Sequence, residues 1–143
     1  MEIDVAEITR HLVQICVAYL LALPVAWNRE AGNERNAGLR TFPLVATAAC
    51  GYALVGMAVL NTTDAESRVI YGIITGMGFI GGGAILKDSG GVSGTATAAS
   101  LWVTGAIGIA AAFQRYEIGI VLSLVTFLTL KFMPYVKEQN TKN

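Results

Sequence analysis

Charge is what this chain has least of. Only 14% of its 143 residues are Asp, Glu, Lys or Arg, against about 25% in a typical soluble domain. The ten basic and ten acidic residues cancel to a formal net charge of zero, which excludes a globally basic nucleic-acid binder. One histidine, His11, rules out a His-based metal cluster or triad within one chain. Two cysteines, Cys16 and Cys50, lie inside apolar runs and read as small hydrophobes, not as a disulfide or metal pair. No finger or ribbon spacing and no GxxxxGK[ST] run occurs, so no metal or nucleotide cofactor is expected. No nucleophile–base pair stands out, and an enzyme is the least favoured class.

What remains is oil. The chain is 54% hydrophobic with a mean hydropathy of +0.56. From about Leu12 to Met133 the apolar residues form long runs, and most charges fall in the gaps. Runs of about 17–25 apolar residues are long enough to cross a hydrocarbon core roughly 30 Å thick. The runs do not alternate over ten residues, so helices are favoured over a barrel. The expected fold is an all-α membrane protein, a single domain of five transmembrane helices spanning residues 8–27, 41–60, 69–86, 95–113 and 118–135. The N-terminal segment, with Glu2, Asp4 and Glu7 against Arg10, is acidic and is read as a retained first helix, not a signal peptide. Pro24 frees the carbonyl of Leu20 and predicts a kink. Trp27 and Tyr135 stand at span ends, where amphipathic rings favour the headgroup layer.

Seven of the ten basic residues, Arg29, Arg35, Arg40, Lys87, Lys131, Lys137 and Lys142, belong to one face; Arg10, Arg68 and Arg115 belong to the other. The positive-inside rule puts the larger set in the cytoplasm, with the N-terminus outside and the C-terminus inside.

The third span is glycine-rich, with Gly72 and Gly76 four apart and Gly78 and Gly82 likewise. Such spacing lines one helix face and admits another backbone. Three consecutive glycines, Gly81, Gly82 and Gly83, at about 1 kcal/mol each relative to Ala, predict a bend or break. The fourth span has its own stripe of Ala96, Ser100, Thr104 and Gly108. Joined by the short loop Lys87–Ser93, the two spans are expected to pair through these small faces, their hydroxyls bonding across or back to carbonyls. At the start of span four, Thr95 and Thr97 lie near Lys87; an anion site is conceivable there, but capping by Ser93 or Thr95 is the plainer reading. The first loop concentrates Asn28, Arg29, Glu30, Glu34, Arg35 and Arg40 before Thr41. Arg40 is placed to pair with Glu30 or Glu34 or to meet a lipid phosphate. Asp64 reads as a cap beside Glu66 and Arg68. No span carries a central acid, which argues against a simple cation carrier but leaves open a carbonyl-lined path at the glycines.

Taken together, Ala37-Gly38-Leu39-Arg40-Thr41, then Arg68 with Gly76, Gly78-Phe79-Ile80-Gly81 and Gly83, then Thr95-Ala96-Thr97-Ala98-Ala99-Ser100-Leu101-Trp102 with Gly108, resemble the MgtC/SapB family of bacterial inner-membrane proteins. The resemblance implies a multi-pass domain of four or five helices in the cytoplasmic membrane and a role in growth at low magnesium. In the best-studied members it also implies survival in phagocytes and restraint of the rotary ATP synthase, as regulators, not magnesium carriers. The family usually carries Glu-Arg after the first span, where this chain has Asn28-Arg29. Its larger members continue into a cytoplasmic domain, so this chain looks like a short form. The leading expectation is a regulatory or accessory protein of magnesium homeostasis, acting through contacts with the bilayer and another membrane protein. The alternative is a homodimeric or higher homo-oligomeric transporter or channel for a small ion or solute at the glycine-rich site.

Overall fold

The computed structural model describes residues 4–31, 37–88 and 91–141. Glu34, Arg35 and Lys142 fall outside the described residues, as do the side chains of Tyr135 and Lys137. The elements are α1 (Val5–Ala31), α2 (Thr41–Val59), α3 (Thr63–Gly83), β1 (Leu86–Asp88), β2 (Gly91–Ser93), α4 (Thr95–Ala112) and α5 (Tyr116–Thr141). The all-α membrane bundle is as expected. Four helices, α1, α2, α4 and α5, are long and apolar enough to cross a bilayer.

The fifth, α3, differs from the expected span. It begins at Thr63, six residues early, because Thr62 caps it: the Thr62 hydroxyl accepts the Ala65 N–H at 3.2 Å. Asp64 is therefore not the cap; it holds Arg68 at 3.1 Å in the first turn. Those charges and the glycines keep α3 less apolar than its neighbours. It nevertheless runs the depth of the bundle. Val69 packs against Gly56 near the end of α2, and Gly81 packs against Ala98 near the start of α4. The bend or break expected at Gly81–Gly83 coincides with the end of the helix, which stops at Gly83 with Ala84 as its C-cap, three residues short of the expected 86.

The loop after α3 is a small antiparallel hairpin pairing Leu86 with Ser93, Lys87 with Val92 and Asp88 with Gly91. Neither Ser93 nor Thr95 caps α4; Gly94 does, at φ 80°, with no side-chain cap bond. An added Cβ at Gly94 would fall on the Ala84 carbonyl oxygen, so glycine is required twice over, by dihedral and by close approach. Pro24 lies inside α1, which runs on to Ala31. In the adjoining turn the Ser123 hydroxyl of α5 donates to the Leu21 carbonyl at 2.6 Å, the kind of support that lets membrane helices carry proline.

At the centre stands α4, which packs against all four other helices. Its buried residues include Thr97, Ser100, Thr104, Gly105, Gly108 and Ala111. In lipid, helices associate by close packing and interhelical bonds, since the tails are as apolar as leucine; small residues are what permit it. An added Cβ at Gly108 would meet the Ala46 carbonyl oxygen and stand 2.8 Å from the Ala49 Cβ. Gly51 of α2, by contrast, has nothing within 4 Å of such an atom. Gly108→Ala is therefore expected to destabilise the bundle by about 1–3 kcal/mol through overpacking. Gly51→Ala should be neutral or stabilising by up to about 1 kcal/mol. Unfolding in detergent, followed by circular dichroism, checks both.

Candidate functional site

Of the residues singled out in the first loop, Asn28, Arg29 and Glu30 lie together in the last turn of α1, at the end of the molecule where α2 and α4 start. Arg29, in the last turn of α1, is half-buried, and its Nη2 donates to the Thr97 hydroxyl at 2.7 Å. Thr97 is fully buried in the first turn of α4. A guanidinium at a helix C-terminus also meets the negative end of the α1 dipole. Next to it, Glu30 reaches α2: its Oε2 accepts the Leu39 N–H at 3.0 Å. The Gly38 carbonyl then accepts the N–H groups of Thr41 at 3.0 Å and Phe42 at 3.2 Å, starting α2. An added Cβ at Gly38 would fall on the Glu30 carboxylate, so a larger residue there would turn that side chain away from Leu39. A carboxylate at the N-terminus of α2 is favourable for the same dipolar reason. Asn28 is half-buried in the same turn of α1. Two neighbouring charges thus fasten α1 to two other helices.

Of the partners expected for Arg40, Glu34 lies outside the described residues. Arg40 does not pair with Glu30, whose carboxylate is turned to Leu39. Its exposed side chain makes no cap bond to α2 and lines a groove between α2 and α3 with Thr41 and Gly76. Arg68 belongs to the opposite end, with Asp64. Thr95 is exposed just after Gly94.

The two small stripes do not meet. On α4, Gly108 faces α2, while Ser100 and Thr104 bond back to the carbonyls of Ala96 at 2.6 Å and Ser100 at 2.8 Å. What joins α3 to α4 is Gly81 against the Ala98 backbone, Met77 against Gly105, and the Trp102 indole N–H donating to the Ile74 carbonyl at 3.2 Å. Gly76, Gly78, Gly82 and Gly83 have nothing within 4 Å of an added Cβ. On a helical projection Gly76 falls toward α2, whereas Gly78 and Gly82 share the outer face with Tyr71 and Thr75.

Two polar core residues, Gln14 and Ser123, have no place in the sequence reading. Gln14 is 2% exposed, and its Nε2 donates to the Ala112 carbonyl at 2.7 Å, tying α1 to the far end of α4. The only signal was a lone amide inside an apolar run. Among the described residues no three His, Cys, Asp or Glu side chains gather as metal ligands would, and both cysteines are free thiols.

A hydrogen bond to a charged group contributes about 1.5–3 kcal/mol. Thr97→Val, which keeps the shape and removes the acceptor, should destabilise the fold by about that amount, while Thr97→Ser should retain most of it. Chemical or thermal unfolding of both variants in one detergent measures the difference.

The MgtC family model matches residues 15–139. Protein SrpB of Synechococcus elongatus is 35% identical over 82% of this chain and 71% of its own length. The "Putative magnesium transporter YhiD" of Escherichia coli is 38% identical over 84% of this chain and 59% of its own. Protein MgtC of Salmonella typhimurium is 30% identical over 80% of this chain and 48% of its own. The chain thus spans about half to three-fifths of the last two relatives. No solved structure matches it significantly. With a family match over most of its length and four bilayer-length apolar helices, the chain belongs to the MgtC family and is a multi-pass protein of the bacterial inner membrane.

Proposed function

We propose that the chain is a non-enzymatic accessory protein of magnesium homeostasis, acting through helix contacts with another membrane protein and not as the conducting path itself. Family membership and the name of YhiD support the connection with magnesium. The observation that carries the contact role is how the interior is closed. The small face of α4 is covered by α1 and α2, and its polar groups are engaged: Thr97 with Arg29, Ser100 and Thr104 with their own helix. The outer face of α3 is left uncovered, with Tyr71 71% and Phe79 88% exposed beside the open Gly78 and Gly82. Glycines four apart next to aromatic rings make a face on which a second helix packs closely. In this reading the end bearing Arg29, Arg40 and Lys87 faces the cytoplasm, as the distribution of basic residues favours.

The word transporter in the name of YhiD favours a second reading, in which chains assemble and pass magnesium between them. Proteoliposomes containing only this chain and a magnesium-sensitive dye separate the two. The accessory role predicts flux no greater than in empty liposomes under any imposed gradient; selective magnesium flux that disappears with Gly82→Leu supports transport. The accessory role also predicts that Gly82→Leu removes photocrosslinks formed from position 79 in cells, while membrane insertion is unchanged.

A further inference from the structure

The groove between α2 and α3 holds about 900 Å³, toward the upper end of the roughly 300–1,000 Å³ typical of small-molecule sites. It runs from Arg40 and Thr41 to Val59 and Leu60, the whole of α2, or about 28 Å at 1.5 Å per residue. Its floor is open because Gly72 and Gly76 place no side chain in it. Apart from Arg40 and Thr41 at one mouth and Tyr52 along the wall, every lining residue is apolar.

The charges at the two mouths differ. At the Leu60 end, the nearby Asp64 and Arg68 neutralise one another at 3.1 Å. At the other end Arg40 has neither a cap bond nor an ion-pair partner among the described residues, and Glu30, the acid held to the same turn, is turned to Leu39. Arg40 also stands at the positive end of the α2 dipole. An apolar channel of bilayer length with one cationic mouth suits a chain of hydrocarbon with a negative head. A guanidinium matches phosphate oxygens bidentately.

We propose that this groove holds one anionic phospholipid, an acyl chain lying over Gly72 and Gly76 and the phosphate seated on Arg40. The lipid completes the α2–α3 contact and selects its headgroup at the Arg40 mouth. This flank of α3 is distinct from the outer face assigned to a protein partner, so the two ideas stand or fall separately.

Native mass spectrometry tests it on the full chain, released from bilayers of equal phosphatidylglycerol and phosphatidylethanolamine. The protein should retain one phospholipid, enriched in phosphatidylglycerol. Arg40→Gln should lower that enrichment about fivefold, the effect of one arginine on an anionic headgroup, and Arg40→Lys, which keeps the charge but loses the bidentate fork, should fall between the two. Gly76→Phe, which fills the floor, should remove retained lipid from protein whose helicity is unchanged. The proposal is overturned by the absence of retained lipid, by enrichment indifferent to Arg40→Gln, or by a folded Gly76→Phe variant that holds lipid as before. A dimer that Gly76→Phe converts to lipid-free monomer would put a second copy in the groove and also overturn it. Should Gly76→Phe fail to fold, the Arg40→Gln ratio decides alone.

Discussion

Close approach to α4 is the constraint on which the rest of this bundle depends. Lipid offers helices no hydrophobic reward for leaving it, so cohesion comes from dispersion contacts that fall off steeply with distance. Gly108 brings the α2 backbone at Ala46 into direct contact, and Gly105 makes room for Met77 of α3. A helix this poor in bulk has little to present to lipid; it is useful at the centre, where four neighbours close on it. The same economy explains its polar residues. Ser100 and Thr104 are buried, and each satisfies its hydroxyl on its own helix.

Polar bonds then fix the positions of the helices around that centre. Arg29 holds α1 to the start of α4, and Gln14 holds it to the end; together they set α1 antiparallel to α4 along most of its length. Glu30 starts α2, and Ser123 joins α5 to α1. The third helix is held less completely, by Trp102, Met77 and Gly81, with a groove on one flank and exposed aromatic residues on its outer face. Low apolarity and open glycines make α3 the element best suited to exchange contacts with lipid or another protein. Both proposals about this chain rest on it.

Much of this was legible in the amino acids, and the failures have physical causes. Unbroken apolar runs located α1, α2, α4 and α5, since length and hydrophobicity are one-dimensional properties. The start of α3 is ambiguous in sequence because Asp64, Glu66 and Arg68 read equally well as a loop or as a solvated first turn. Periodicity revealed a small face on α4 but not its neighbour, which is α2, because helical spacing says that a face exists and nothing about what covers it. The charges of the first loop were recognisable as a cluster; that Arg29 would reach Thr97, sixty-eight residues on, was a tertiary fact. Gln14 leaves little trace in the sequence because a single amide barely disturbs an apolar run.

Membrane-phase carbene labelling of the intact protein, mapped by peptide mass spectrometry, tests the central claim most directly. A core formed around α4 predicts that peptides from α4 take up the least reagent of the five helices, with α5 and the outer face of α3 labelled heavily. Labelling of α4 equal to that of α5 would contradict the account.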